Sequence, residues 1–333
     1  MELYFSLVIP VFNRPEEVDE LLESLTKQTY TKEYEIVIVE DGSTLTSEEV
    51  VANYTDKLNI SYYFKPNSGP GASRNYGMAI AKGNYYIILD SDCIIPPDYL
   101  YNAHQYLENN YVECFGGRDA EHTSFSILQK AISYSMTSFL TTGGIRGSKK
   151  SVNKFQPRSF NMGISKKAFE ATGGFGKIHP GEDPDLTIRI WKAGFDTAYI
   201  DNAFVYHKRR ISWKKFYQQV YKFGLTRPIL NHWHPDSKKI TYWFPSVFVV
   251  GLTLSVLLSF FGIPYLLYCY SFYFLLLFSE SLLKNKSLQI AILSLVAVII
   301  QFSGYGYAFL KANIMLTLYH KEPQELFPKV FFK

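Results

Sequence analysis

Cysteine is scarce in this chain, and its scarcity excludes a fold held by disulfides and a cysteine-ligated zinc site. The 333 residues include three cysteines, Cys93, Cys114 and Cys269. They are too few and too widely spaced for a disulfide framework or a zinc site, which fits a reducing compartment. A secretory signal is also missing, because the first residues contain no basic segment followed by an apolar one. We therefore expect the N-terminal part of the chain to stay in the cytoplasm.

Charge is absent from two long stretches near the C-terminus. Residues 240–279 carry no charge over 40 positions, and residues 287–310 carry none over 24. A membrane-spanning helix needs about 20 apolar residues, and runs of this length are unusual for the alternative, buried helices of a soluble core. We therefore predict a membrane region over residues 240–333. It would contain two or three transmembrane helices, near residues 243–262, 264–283 and 288–310, and a short tail.

Positive charge is concentrated just before this region. Residues 1–203 contain 19 Lys and Arg against 26 Asp and Glu, whereas residues 204–240 contain nine against one. Basic residues beside a membrane segment favour the cytoplasmic side and anionic lipid. Residues 211–239 are therefore predicted to form a basic amphipathic segment at the membrane interface. A nucleic-acid site is not predicted, because no nucleic-acid-binding module accompanies the basic residues.

The first two hundred residues alternate between strand and helix patterns. Buried strands are predicted over residues 5–9, 35–39, 60–64 and 85–89, with helical spacing of apolar residues between them. This alternation is typical of a doubly wound, parallel α/β sheet. In such a sheet the loops that follow the strands lie at one edge, where ligands bind. The segments around Arg14, Asp41, Arg74 and Asp90 are then neighbours in space.

Two carboxylates follow the fourth strand directly. Asp90 and Asp92 are costly neighbours unless a cation lies between them, and a divalent metal with a phosphate on its far side would supply that charge. An ordinary turn before Pro96 is the alternative, and the tripeptide alone leaves both open. A second acidic pair, Glu182 and Asp183, opens a later helix. One carboxylate is a common helix cap, but two exceed what a cap needs.

Six short motifs in order carry a resemblance to a known family. They are Val-Ile-Pro-Val-Phe-Asn-Arg at 8–14, Val-Glu-Asp-Gly-Ser at 39–43, Gly-Ala-Ser-Arg-Asn at 71–75, Leu-Asp-Ser-Asp at 89–92, Gly-Gly-Phe at 173–175 and Glu-Asp-Pro-Asp-Leu at 182–186. Each is weak alone, but together the chain resembles family 2 glycosyltransferases with the GT-A fold. The resemblance covers about residues 3–210 and implies a catalytic domain over 1–210.

The resemblance also implies roles for individual residues. The implied nucleotide-binding residues are Pro10, Phe12, Arg14, Glu40, Asp41, Asn67, Gly69, Arg74 and Asp90. Asp90 and Asp92 match the family's D-x-D pair, which would hold Mg²⁺ or Mn²⁺, and His207 is similar to a third metal ligand, although it could simply belong to the basic segment. Asp183 matches the general base, with Glu182 in support. One departure is Glu40, where the family usually has aspartate.

The activity implied is that of a metal-dependent, inverting glycosyltransferase. It would move a sugar from a UDP-, GDP- or dTDP-linked donor to a hydroxyl of a lipid-linked or surface-polysaccharide acceptor. The enzyme would lie at the inner (cytoplasmic) membrane with its catalytic domain facing the cytoplasm. Two alternatives are a sugar-nucleotide pyrophosphorylase-like enzyme, whose Gly-rich activating loop is missing here, and a non-catalytic membrane assembly protein. The donor, the acceptor, the number of crossings and the oligomeric state stay open.

Overall fold

The computed structural model describes residues 2–120, 125–143, 154–207 and 212–332. These residues group into two compact units. The first contains 2–120, 154–207 and 331–332, and the second contains 125–143 and 212–330. The sequence had assigned residues 125–143 to the catalytic domain and 331–332 to the membrane tail. The grouping places these segments with other partners, and the predicted division into a catalytic domain, an interfacial segment and a membrane region stays a prediction.

The first unit is built around a sheet of eight strands in the described residues. The strands are β1 Phe5–Val11, β2 Tyr34–Asp41, β3 Ile60–Lys65, β4 Tyr85–Leu89, β5 Cys93–Ile94, β6 Cys114–Ala120, β7 Asn161–Ser165 and β8 Thr197–His207. The α-helices of the described residues, in order, are α1 Pro15–Leu25, α2 Glu48–Ala52, α3 Pro70–Ile80, α4 Tyr99–Asn109, α5 Ile127–Thr137, α6 Phe139–Thr142, α7 Lys166–Thr172, α8 Glu182–Lys192, α9 Trp213–Trp233, α10 Phe244–Phe260, α11 Tyr265–Asn285, α12 Leu288–Tyr319 and α13 Pro323–Leu326.

Strand order in the sheet is β3-β2-β1-β4-β7-β6-β8-β5. The predicted parallel pairing holds for β1 to β4. Beyond them the pairing is mixed: β6 and β8 are parallel, but β7 runs antiparallel to both β4 and β6, and β5 runs antiparallel to β8. The sheet is therefore mixed, as in GT-A-like folds. Its parallel half carries the edge at which the predicted site lies.

The apolar strands are covered on both faces, as their composition predicted. One face packs against α1, whose Val18, Leu21 and Leu22 recur at helical spacing and are fully buried. The other face packs against α3 through Met78. The first strand continues one residue past Pro10. Its pairing with β4 ends before Pro10, so the proline has a neighbouring strand, β2, on one side only, where a missing amide is tolerated.

The second unit is helical. Among the described residues, three helical stretches are long and apolar enough to cross a membrane: Ile240–Phe260, Tyr265–Asn285 and Leu288–Tyr319. They overlap the three predicted segments. The apolar face of α9, including Phe216 and Val220, packs on α12 near Ala297. Gly224 allows close approach, since a Cβ there would come within 2.3 Å of the Tyr305 carbonyl oxygen. Apolar residues of the segment predicted to lie at the membrane interface are therefore used in helix packing.

Candidate active site

The parallel half of the sheet brings the predicted loops to one edge. In the register of β1, β2 and β3, Val11 pairs with Glu40 and Asp41 pairs with Lys65, so these strands end together. The Arg14 guanidinium, which follows β1, reaches the Asp92 carboxylate after β4, with Nη1 3.3 Å from Oδ2. Segments 78 residues apart in sequence therefore share one cleft edge.

Asp41 organises the loop that follows β3. The Ser68 and Gly69 amides each donate to its carboxylate at 2.9 Å. The Lys65 ammonium forms an ion pair with the same carboxylate, and the Asn67 side-chain amide donates to the Asp41 carbonyl oxygen at 2.8 Å. The positive φ of Gly69, 91°, suits glycine and lets the loop turn into α3. The predicted nucleotide-binding loop is therefore held by one buried carboxylate.

Glu40 turns away from this edge. Its side chain is fully buried and accepts hydrogen bonds from the Ser43 hydroxyl, from the Ser47 amide at 2.8 Å and from the Tyr62 hydroxyl at 3.2 Å. These partners brace the turn between β2 and α2. The Glu40 carboxylate therefore stabilises this turn, and its predicted contact with a nucleotide stays a prediction.

Arg74 connects two predicted parts of the site. Its guanidinium side chain is 4% exposed. Nη2 donates to Asp90 Oδ1 at 2.7 Å, and Nη1 donates to Glu182 Oε1 at 3.1 Å. The guanidinium carbon also lies 5.2 Å from the centre of the Phe175 ring. A buried cation is costly unless it is paired and hydrogen-bonded, and two carboxylates meet that need here. Arg74 therefore fixes α8 against the strand end that carries the D-x-D pair.

Glu182 and Asp183 are adjacent in sequence but differ in their electrostatic surroundings. Burial acts to raise the pKa of Glu182, but His179, 2.9 Å away, and Arg74 outweigh it and hold that pKa below its usual range. For Asp183, burial dominates and raises the pKa, even though Arg158 Nη1 lies 3.6 Å from its carboxylate. Pairs of carboxylates with separated pKa values are typical of acid–base sites, in which one group stays ionised and the other exchanges protons.

The chemistry of Asp90 and Asp92 fits a hard divalent cation, because both supply carboxylate oxygens; at present these pair with Arg74 and Arg14. Within the described ranges, no cluster of three or more His, Cys, Asp and Glu side chains could hold a metal. The side chain of His207 lies outside the described residues. The backbone of His207 pairs with that of Cys93, which is next to Asp92 in sequence. The predicted metal ligation by His207 stays a prediction, because its side chain is not described.

Two more predicted residues line the same edge. Phe12 follows β1 with 49% of its surface exposed, so its ring is available to a planar base. Pro10 lies at the end of the same strand. Both positions agree with a nucleoside pocket, and their contacts with a nucleotide stay predictions.

Three residues at the site were missed from the sequence. Lys65 ends β3 at the edge where Asp41 lies, so the rule that located the other loops could have found it. His179 and Arg158 contact Glu182 and Asp183 from irregular segments without a motif. Only the three-dimensional structure reveals them.

The N-terminal half of the chain matches a known protein family. The model of "Glycosyl transferase family 2" matches residues 6–172, half of the chain. The chain belongs to glycosyl transferase family 2. The match contains the Asp41 loop, Arg74 and the Asp90–Asp92 pair, and ends before α8.

Among curated relatives of this family 2 member are two enzymes named for poly(ribitol-phosphate). The beta-N-acetylglucosaminyltransferase TarS of Staphylococcus aureus is 34% identical over 110 residues, 32% of this chain and 19% of that protein. A poly(ribitol-phosphate) beta-glucosyltransferase of Bacillus spizizenii is 38% identical over 109 residues, 32% of this chain and 17% of that protein. The matched part therefore spans less than a fifth of these relatives.

Solved structures support the fold over a longer stretch. The mannosyltransferase PcManGT of Pyrobaculum calidifontis, solved with GDP-Man and Mn²⁺, has a TM-score of 0.56 at 16% identity. The comparison covers 97% of this chain and 89% of that one. Residues 1–349 of TarS with UDP-GlcNAc give 0.50 at 18% identity, covering 93% and 91%. At such identities the likeness establishes a shared GT-A-like fold.

Proposed function

We propose that this family 2 protein is an inverting glycosyltransferase. It moves a sugar from a nucleoside diphosphate to a hydroxyl of a surface polymer or of a lipid-linked precursor. The observation that carries the proposal is the path Asp90–Arg74–Glu182, which ends beside Asp183, whose pKa is raised by burial. Donor-binding and proton-accepting groups are thereby joined at one site, as sugar transfer requires.

The donor half of the proposed mechanism rests on charge. The loop held by Asp41 would border the base and ribose, with Phe12 stacking on the base. Arg14 lies close to Asp92 and Arg74 to Asp90, so the two guanidinium groups offset part of the negative charge of these carboxylates where a diphosphate would bind. Asp90 and Asp92 would hold Mg²⁺ or Mn²⁺, which when bound neutralises charge on the leaving oxygen. The mannosyltransferase PcManGT, solved with Mn²⁺ and GDP-Man, supports this part by analogy.

The acceptor half rests on Asp183. A base is most effective when its pKa approaches the working pH, and burial moves the pKa of Asp183 in that direction. Its carboxylate would accept the proton of the attacking hydroxyl, while Arg74 and His179 keep Glu182 ionised. Attack from the face opposite the diphosphate would form the new glycosidic bond as the old one breaks. A single displacement of this kind inverts the anomeric centre.

Two observations favour a surface-polymer or lipid-linked acceptor. Three apolar helices could cross a membrane, which would keep the protein at the surface where a lipid-linked acceptor lies. The named relatives act on poly(ribitol-phosphate), a polymer of polyol phosphate. We propose that the chain is anchored in the cytoplasmic membrane and that its catalytic unit faces the cytoplasm.

Donor turnover tests this proposal. The full-length protein in detergent is incubated with UDP-, GDP- and dTDP-sugars and Mn²⁺, and nucleoside diphosphate release is measured. We expect one nucleotide class to be consumed, and Asp90→Asn to abolish release. Asp196→Asn is the matched control, because that carboxylate is 74% exposed. Absence of both binding and turnover for every donor would contradict the proposal.

A further inference from the structure

Residues 331–332 belong to the catalytic unit, although they follow the membrane region in sequence. Phe331 forms an antiparallel bridge with Ile178, and the Phe332 amide donates to the Lys177 carbonyl oxygen at 3.0 Å. The short segment before α8 thus pairs through its backbone with residues 331–332. Backbone pairing fixes where the Phe332 side chain can lie.

The Phe332 ring lies between two loops of the donor side. A Cβ placed on Gly69 would come within 2.3 Å of ring atom Cγ, so ring and loop are in direct contact. The ring centre is also 5.7 Å from that of His179. The ring also lines a cavity of about 200 Å³, together with Ser68, Ala72, Asn75, Phe175 and His179 among others.

Each loop that touches the ring also holds one carboxylate of the site. The Gly69 amide donates to Asp41 at 2.9 Å, and His179 Nδ1 lies 2.9 Å from Glu182 Oε1. Arg74 forms ion pairs with Asp90 and Glu182. The ring therefore acts on the site through Gly69 and His179.

We propose that Phe332 is a positioning residue that clamps the Asn67–Gly71 loop to the His179 segment and so sets affinity for the nucleotide-sugar donor. This inference rests on the proposed function. A loop that is ordered before binding loses less conformational freedom on binding, so the clamp acts on donor KM. Turnover depends on Asp183, which the ring does not hold.

The test uses three full-length variants. Phe332→Ala removes the ring, Phe332→Tyr keeps it, and Phe139→Ala makes the same truncation at a phenylalanine that is 71% exposed. We expect Phe332→Ala to raise donor KM about tenfold with kcat within about twofold. Phe332→Tyr, which keeps the ring, and Phe139→Ala should both have the wild-type donor KM.

Binding of the matching nucleoside diphosphate, measured by titration calorimetry, is the second readout. The dissociation constant should follow KM in all three variants. Equal affinity of wild type and Phe332→Ala would overturn the inference, as would tighter binding, which would mean that the ring obstructs the donor. If the wild-type protein binds no nucleoside diphosphate, the proposed function itself fails and the inference fails with it.

Discussion

Replacing Glu182 by glutamine should destabilise the catalytic unit strongly. The carboxylate is buried between Arg74 Nη1 at 3.1 Å and His179 Nδ1 at 2.9 Å. Removing one partner of a buried ion pair costs about 3–5 kcal/mol. Glutamine keeps an acceptor oxygen for Arg74, and Asp90 stays bound to the same guanidinium, so we expect about 2–3 kcal/mol. For a unit of this size the melting temperature should fall by about 5–10 °C.

The pH dependence of this loss follows from the lowered pKa of Glu182. A carboxylate whose folded pKa lies below its ordinary value of 4.5 contributes stability that is fully present above that value. The contribution is lost as the pH falls through the folded pKa. The difference between wild type and Glu182→Gln should therefore persist at about pH 5 and above. It should shrink in more acidic solution.

Thermal unfolding of the full-length protein, followed by intrinsic fluorescence across this pH range, provides the measurement. Glu23→Gln is the control, because Glu23 forms an exposed ion pair with Lys27 and such pairs add little stability. An unchanged melting temperature for Glu182→Gln at neutral pH would refute the reasoning. So would a difference that grows on acidification.

Three further perturbations test neighbouring contacts. Lys65→Met removes the cation paired with Asp41 and should raise donor KM by roughly tenfold in steady-state assays; an unchanged KM would show that the loop holds without it. Arg158→Ala removes a charge that lowers the pKa of Asp183, so the acidic limb of the kcat profile should move to higher pH, whereas Arg158→Lys should leave it in place. Gly69→Ala forces an alanine to a φ of 91° against the Phe332 ring and should lower the melting temperature by several degrees, at about 1–3 kcal/mol of strain. A stable Gly69→Ala variant would contradict the contact.

The parallel half of the sheet was predictable because its signals are local. Each buried strand is a short apolar run, and a glycine or proline marks the loop that follows. Asp41, Arg74 and Asp90 could therefore be assigned to one edge from strand order alone. The contact between Arg14 and Asp92 confirms that the loops at this edge meet.

The rest depended on contacts between distant segments. The antiparallel insertion of β7 between β4 and β6 could not be predicted from the residues of β7. The sequence of a short apolar strand does not indicate whether the strand pairs in parallel or antiparallel. The return of Phe332 to the catalytic unit and the approach of Arg158 to Asp183 are also long-range. Periodicity and turn chemistry report only on neighbours in sequence, so these contacts required the structure.

The most direct test of the account is the separation of donor binding from turnover in Asp183→Asn. The substitution keeps the shape of the side chain but removes the carboxylate that would accept the proton. With the donor identified, we predict a dissociation constant for the nucleotide sugar within about twofold of wild type. We also predict a fall in kcat of about 10²–10⁴-fold, the range typical of a lost general base. Wild-type turnover by Asp183→Asn would contradict the central claim that Asp183 is the base.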